Sequence, residues 1–318
     1  MRFRELTRGA QLAVCFATMS HPRQVLPEQF YLVTRRTTQR ELLMRPDEET
    51  NNAFIYCLAL AAQRCQIDVL LTVAESNHHH TVIFDRHGNY PAFIEHFHKL
   101  FARCQNKLRG RSENFWAAVE PSVVCLLDRD AVMSKLAYAA TNPVKDRLVE
   151  RVHHWPGVNS YVSLCSGRPL KATRPRYFFQ QRGPMPERVT LTLTIPPELG
   201  DPERVRAQLR EQVETIEREV MEERRRTGER VLGRRGVLQQ SWKSSPTSEA
   251  PHRNLRPRFA SRDAELRIAA IVEYRAFLDA HRDARRRWLQ GVQTAFPVGT
   301  YKLRATVAVP IAANDAMN

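Results

Sequence analysis

Residues 67–84 read IDVLLTVAESNHHHTVIF, two strand-like runs joined by the short segment Glu75-Ser76-Asn77. The first run, Ile67 to Ala74, is almost continuously apolar, which is typical of a buried central strand. The second run begins with three consecutive histidines and continues through Thr81 to Phe84. The two runs predict strands of one small sheet, and the elements on either side indicate what kind of sheet it is.

Hydrophobic periodicity predicts five further elements around these strands. They are a strand at Gln29–Arg35, a helix opening at Pro46-Asp47, a helix from Pro91 to about Leu108, a short strand at Val123–Leu127 and a helix from Ala131 to Ala140. The last helix is expected to stop before Asn142-Pro143, because a proline disfavours helical conformation in the residue before it. This order predicts an α+β fold, a ferredoxin-like antiparallel sheet with helices on one face.

The charge balance of the chain favours a polyanionic partner. Lysine and arginine total 49 against 34 acidic residues, which gives a net charge of +15 and a pI near 10.1. Such an excess points to nucleic acid or an anionic membrane surface. No run approaches the roughly 20 apolar residues of a membrane span, so no membrane insertion is expected. The six cysteines show no C-x-x-C spacing and indicate a reduced, cytoplasmic protein.

The histidines at residues 78–80 are the strongest candidates for chemistry. If His78 begins a strand, the period of two places His78 and His80 on one face and His79 on the other. Two neutral imidazoles side by side on a rigid strand can bind one divalent ion. The alternative is an exposed polar turn that happens to be rich in histidine, because a short histidine tract is a weak motif.

Several ordered blocks resemble the single-tyrosine transposases, in particular the REP-associated tyrosine transposases. Asn77-His78-x-His80 resembles their Asn-His-hydrophobe-His motif, although the middle position is normally apolar. The other blocks are Tyr31–Arg36, similar to the family's first strand; Phe93–Asn106, similar to the helix that bears the nucleophile; Phe115-Trp116, an aromatic pair; Tyr138–Lys145, similar to the tyrosine-x-x-x-Asn-Pro-Val-basic signature; and Trp155–Tyr161, similar to the closing segment.

The resemblance implies a metal-dependent reaction on DNA. A magnesium or manganese ion would be held by His78, His80 and a polar residue of the nucleophile helix, for which Gln105 is the candidate and Asn106 the reserve. A tyrosine of that helix would attack the scissile phosphate of single-stranded DNA and form a phosphotyrosine link. Aligned on these blocks, the tyrosine position falls at Phe101, which has no hydroxyl. The sequence therefore predicts no covalent adduct.

The resemblance also implies a division of the chain. Residues 29–166 are expected to be a transposase-like DNA-binding domain, preceded by a leader or first strand at 1–28. Residues 167–318 are expected to be a basic, mainly helical extension, with a long charged helix at Pro202–Arg226 and a last helix from about Ala264 to Val292.

The expected partner is single-stranded or hairpin DNA, and homodimerisation is left open. Clustered positive charge releases counterions from phosphates, and an exposed tryptophan can stack on a base. The candidate contacts are Arg35, Arg36, Arg40, Lys107, Arg109, Arg111 and Trp116. Three functions remain open: a DNA transposase, a domesticated structure-specific DNA-binding module without strand transfer, and an RNA-binding protein.

Overall fold

The histidine-rich segment lies inside the main sheet of the computed structural model, which describes residues 22–247 and 257–312. In chain order its helices and strands are β1 (Gln29–Arg36), α1 (Glu48–Cys65), β2 (Ile67–Ala74), β3 (His78–Asp85), α2 (Tyr90–Arg109), β4 (Ser122–Leu126), α3 (Arg129–Lys145), α4 (Tyr161–Ser166), β5 (Leu170–Thr173), β6 (Arg188–Leu191), α5 (Pro202–Thr227), α6 (Gly233–Gln239), β7 (Phe259–Ala260), α7 (Ala264–Leu289) and α8 (Lys302–Val307). Short 3₁₀ turns lie at Thr38–Arg40, Val152–His154 and Pro197–Leu199.

The main sheet has the strand order β2-β3-β1-β4-β7. Its first four strands are antiparallel neighbours, whereas β7 pairs in parallel with β4, with Cys125 opposite Phe259. The order of the first four strands, with α1 and α2 between them, is the expected ferredoxin-like arrangement, so the α+β fold class is confirmed. The parallel strand β7 makes the sheet mixed rather than purely antiparallel.

Helices α1 and α2 cover one face of the sheet. Asp47 begins α1, and its carboxylate accepts a hydrogen bond from a backbone amide of the first turn at 2.9 Å. The apolar stripe of α2 packs on α1, where the Phe54 ring lies 5.1 Å from that of Phe97 and 5.2 Å from that of Phe101. His79 of β3 points into the same layer, with its ring 5.7 Å from Phe54. This layer is the larger part of the aromatic core.

Helix α3 covers the opposite face, so the expectation of helices on one face holds only for α1 and α2. It begins after Asp128, whose carboxylate caps it, and runs to Lys145, five residues beyond the expected end at Ala140. Pro143 lies inside it. Pro143 has no amide to donate to the Ala139 carbonyl, and the helix ends two residues later.

Helix α5 packs against α3 through its apolar stripe. Its buried residues are Val205, Leu209, Val213 and Glu217. Glu217 accepts hydrogen bonds from the Val152 amide at 2.7 Å and from Arg151 Nη1 at 2.8 Å. Arg147, just after α3, forms an ion pair with Glu229, just after α5, at 2.5 Å. The charged helix predicted at 202–226 is therefore anchored to the sheet through α3.

The chain divides into two compact units, residues 27–264 and residues 1–26 with 265–318. The domain boundaries that the sequence predicts, after residues 28 and 166, differ from this division and stay a prediction. Most of the expected leader, residues 1–21, lies outside the described residues. In the smaller unit, Ala284, Phe296, Leu303 and Val309 form a core. Among the described helices of the chain, none is long and apolar enough to cross a membrane.

Phe101→Ala is expected to lower the free energy of unfolding by about 3–5 kcal/mol, because it leaves a cavity among packed rings. Phe101 is fully buried, with Phe54, Phe97, Phe115 and Trp116 around it. Urea denaturation measures the change. Val162→Ala, at a side chain that is 52% exposed, is the control and should change stability by less than about 0.5 kcal/mol. Equal effects of the two substitutions would contradict the buried position of Phe101.

Candidate metal and nucleophile site

His78 and His80 lie side by side on the α3 side of the sheet. Their ring centroids are 4.9 Å apart, and His79 points to the other side, as the period of two predicts. The neighbouring strand β1 orients His80, because Thr34 Oγ1 lies 2.7 Å from its Nδ1. The other ring nitrogen of His80, Nε2, is buried and has no hydrogen-bond partner. A buried nitrogen without a hydrogen-bond partner lowers the stability of the fold unless a ligand binds it.

Both imidazoles are held in the neutral form that binds metals. Burial, together with the neighbouring charges of Arg36 and Arg40, lowers the pKa of His78 to about 4. Burial, with the charges of His78, His79 and Lys135, holds the pKa of His80 well below its usual value. At neutral pH the ring nitrogens therefore keep their lone pairs.

Helix α3 brings Tyr138 and Asn142 to the two histidines. The residues are four apart, so both project from the same side of the helix. The ring of Tyr138 lies 5.3 Å from that of His80, and Asn142 Nδ2 lies 3.1 Å from His78 Nε2. Tyr138 is 36% exposed, so its hydroxyl-bearing ring is accessible from solvent. The tyrosine beside the histidines was missed because the sequence placed the nucleophile at Phe101.

Phe101 and Gln105 lie on the other face of the sheet. Phe101 packs in the layer that contains His79, and Gln105 is buried between α2 and α1, where its Oε1 accepts a hydrogen bond from Thr50 Oγ1 at 3.3 Å. Asn106 donates to the carbonyl of Glu113 at 2.8 Å. None of these residues approaches His78 and His80, because the sheet itself separates α2 from the side that α3 covers.

Two carboxyl groups border the same site. Ligand atoms of Glu75, His78 and Asp146 all lie within 4.8 Å of one another. Asn142 Nδ2 also donates to Glu75 Oε1 at 2.9 Å. Burial raises the pKa of Glu75 well above its usual value, and the nearby charge of Asp146 raises it further. A cation bound between the two carboxylates would relieve this repulsion.

His79 and His98 form a buried polar chain on the α2 side. His79 Nε2 lies 2.9 Å from His98 Nε2, and His79 Nδ1 lies 3.1 Å from Thr81 Oγ1. His98 Nδ1 lies 3.2 Å from Arg35 Nη1. Each ring nitrogen therefore has a partner, which explains how a histidine is accommodated where an apolar residue was expected. His98 is buried.

Four of the predicted nucleic-acid contacts are engaged within the protein. Arg109 forms a buried ion pair with Asp47 at 2.6 Å, and Arg111 pairs with Glu41 at 3.0 Å. The guanidinium of Arg35 lies over the ring of Trp116, whose indole nitrogen donates to the His98 carbonyl. These groups have partners within the fold, and their contacts with phosphates or bases stay a prediction.

Of the remaining predicted nucleic-acid contacts, two arginines lie near His78 and one lysine lies on α2. Arg36 lies directly opposite His78 in the β1–β3 register, and Arg40 is near enough to lower the pKa of His78. Lys107 is exposed on α2. The sequence missed Lys135 and Lys145, whose ammonium groups lie 5.4 and 5.3 Å from the ring centroid of Tyr138. Helical spacing places Lys135 on the Tyr138 side within the predicted helix, and it places Lys145 there only because the helix extends through Pro143.

Comparisons with known proteins place the chain close to none of them. No family model matches the chain, and no curated protein matches it. A solved REP-associated tyrosine transposase bound to a REP hairpin is 13% identical, covering 56% of this chain and 99% of its own, with a TM-score of 0.40. A candidate transposase from Deinococcus radiodurans R1 is 14% identical, covering 33% of this chain and 85% of its own, with a TM-score of 0.27. Likenesses of this size identify no family.

Proposed function

We propose that this chain cleaves and rejoins single-stranded or hairpin DNA by a metal-dependent reaction, with Tyr138 as the nucleophile. One observation carries the proposal. Tyr138 and Asn142, one helical turn apart on α3, face the His78–His80 pair on β3. Two neutral imidazoles and an amide beside the hydroxyl of a partly exposed tyrosine are the groups that metal-assisted phosphoryl transfer to a tyrosine requires.

The residues of this site fit a magnesium or manganese ion. His78, His80 and Asn142 would hold it, and rotation of the Asn142 amide about its last bond would present oxygen rather than nitrogen to the ion. Glu75 and Asp146 add the hard oxygen ligands that both metals prefer. The unpartnered Nε2 of His80 gives the site a ligand atom with no other use. When bound, such an ion polarises the scissile phosphate and stabilises charge on its oxygens.

The side chains of this chain position the reaction. Tyr138 Oη forms a bond to phosphorus and loses its proton to solvent, while the bond from phosphorus to the leaving deoxyribose oxygen breaks and that oxygen gains a proton. The product is a phosphotyrosine ester, which conserves the phosphodiester bond energy for rejoining. Thr34 fixes the His80 ring, and the extension of α3 through Pro143 holds Asn142 beside His78.

The proposed partner and location follow from charge and cysteine chemistry. The net charge of +15 and the arginines beside His78 favour a nucleic acid over a neutral partner. The five cysteines in the described parts of the chain are free thiols, as in a reduced cytoplasmic protein. We place the catalytic unit within residues 29–166, with the basic extension supporting it through α5. The alternative, a binding module without strand transfer, rested on Phe101 and loses that support once Tyr138 is the nucleophile.

The test is a trapping experiment with the full-length protein. We expect end-labelled hairpin DNA with single-stranded flanks to give a slower, protein-linked band on denaturing gels when manganese is present. The band should disappear with EDTA, because the site needs a divalent ion to polarise the phosphate. His154→Ala, at an exposed histidine outside the site, is the control and should retain the band. Salt-sensitive DNA binding with no band in manganese or magnesium would instead identify a binding module.

A further inference from the structure

Two lysines flank the ring of Tyr138. Lys135 precedes it by three residues and Lys145 follows it by seven, so all three share one side of α3. Lys135 Nζ lies 5.4 Å and Lys145 Nζ 5.3 Å from the centroid of the ring. Neither ammonium group has an ion-pair partner within 4.0 Å in the described part of the chain, although acidic residues lie nearby.

We propose that Lys135 and Lys145 form a phosphate-binding pair that holds the anionic oxygens of the scissile phosphodiester against Tyr138. This inference rests on the proposed function, since it assigns the contacts of the phosphate that Tyr138 attacks. The pair is separate from the ligands of the metal ion. It gives the phosphate two cationic contacts from the helix that carries the nucleophile, so the phosphate and the hydroxyl are positioned by one rigid element.

The charges around Tyr138 explain why cations are needed there. The carboxyl groups of Asp146 and Glu75 lie close to Tyr138, so acidic groups border the position of the phosphate. The same carboxylates repel an incoming phosphodiester. Ammonium groups on the ring favour both the tyrosinate and the bound phosphate.

Each lysine is held toward the ring by a different part of the protein. Lys135 is close enough to His80 to lower the pKa of that imidazole, so it lies on the strand side of the ring. Lys145 is exposed at the end of α3, close to the charge of Glu219 on α5. The charged or titratable groups that face the pair are thus His80, Asp146, Glu75 and Glu219.

In the reaction, the two ammonium groups remain protonated and transfer no proton. Their role is to neutralise the charge on the two non-bridging oxygens while the bond from Tyr138 Oη to phosphorus forms and the bond to the leaving deoxyribose oxygen breaks. Loss of a preorganised donor to such oxygens typically slows a reaction by about 10²–10³-fold. A purely structural cation–π contact would instead affect thermal stability and leave the pH profile unchanged.

The experiment measures adduct formation under single-turnover conditions from pH 6 to 10, with saturating hairpin DNA and manganese. We expect Lys135→Met and Lys145→Met each to slow the wild-type rate by about 10²-fold. Removing either cation should also move the rising limb of the pH–rate profile to higher pH, because the tyrosinate loses a favourable charge. Lys135→Arg and Lys145→Arg keep the charge and should recover most of the rate. Lys99→Met, an exposed lysine of α2, is the control.

A second measurement does not depend on catalysis. Without metal, the log–log salt dependence of DNA binding should fall by about 0.7 for each lysine replaced by methionine, as expected for one lost contact to single-stranded DNA. The inference would be overturned if the folded methionine variants had the rate, pH profile and salt slope of the wild type. Tyr138 would then remain the nucleophile. No adduct from the wild-type protein would overturn both proposals. If the methionine variants unfold, glutamine variants at Lys135 and Lys145 replace them. Adduct formation that is equally slow in the arginine and the glutamine variants would then overturn the lysine inference.

Discussion

Tyr138→Phe is expected to abolish the covalent protein–DNA adduct, with a loss on the order of 10⁴-fold or more, the scale seen when a nucleophile is removed. The substitution removes one oxygen and keeps the ring that packs beside His80. Because the ring is partly exposed, stability should change by less than about 0.5 kcal/mol. Gel trapping with labelled hairpin DNA and manganese measures the loss, and circular dichroism checks the fold.

The matched control is Tyr177→Phe, which removes a hydroxyl that has no hydrogen-bond partner and lies outside the site. It should form the adduct at the wild-type rate. Adding Phe101→Tyr to Tyr138→Phe should not restore the adduct, because position 101 is fully buried on the far face of the sheet. A restored adduct would return the nucleophile to position 101, and an adduct that survives in Tyr138→Phe would exclude Tyr138.

His80→Ala and His78→Ala are expected to lower manganese affinity by at least about a hundredfold each, and Asn142→Ala by about tenfold to a hundredfold. The imidazoles are neutral and fixed on one strand, so each substitution removes a preorganised ligand from the site. Isothermal titration of the protein with manganese, without DNA, gives the affinity. This readout separates metal binding from cleavage.

Two control variants sharpen the metal experiment. His154→Ala removes an exposed histidine beyond the site and should bind manganese as the wild type does. Gln105→Ala tests the ligand that the sequence suggested, and it should leave the affinity unchanged, since Gln105 is buried against Thr50 on the other face. Reduced affinity in Gln105→Ala, with normal affinity in Asn142→Ala, would reverse the assignment.

The sequence predicted most of the fold because the spacing of apolar residues differs between the strands and the helices of the main sheet. The strand-like runs lie at 67–74 and 81–84, and α2 has one buried apolar stripe. The order of these strands and helices along the chain predicts the ferredoxin-like sheet. Strand β7 could not be predicted in this way. It has two residues, Phe259 and Ala260, and it pairs with residues more than 130 positions earlier in the chain. Neither length nor pattern distinguishes so short a strand from a loop.

For the site, the sequence identified the two histidines and missed the residues that face them. Alternation along a strand is local, so the shared face of His78 and His80 follows from spacing alone. The opposing helix depends on the packing of the whole sheet. The sequence predicted that the helix stops before Asn142-Pro143. Asn142 was therefore placed outside the helix, and its four-residue spacing from Tyr138 on one helix face could not be recognised. Phe101 and Gln105 have the same spacing on α2, so spacing alone could not distinguish the two helices.

The arginines show a similar limit. A sequence shows that a residue is charged, and it does not show whether the charge is already neutralised within the fold. Arg109 contacts Asp47, the residue that caps α1, across 62 positions of sequence. Its role is therefore to hold α1 and α2 together. Arg36 keeps an exposed side chain beside the site, so the same residue type has different roles at the two positions.

The packing of α5 on α3 has a consequence for how the protein can be shortened or fused. Any version of the chain cut before Pro202 would lack α5, whose buried Val205, Leu209 and Val213 form its apolar stripe, and would expose the surface of α3 that this helix covers. It would also leave Arg151 and the Val152 amide without the carboxylate of Glu217. A minimal protein should therefore retain residues 27–264, so that α5 stays packed on the helix that carries Tyr138.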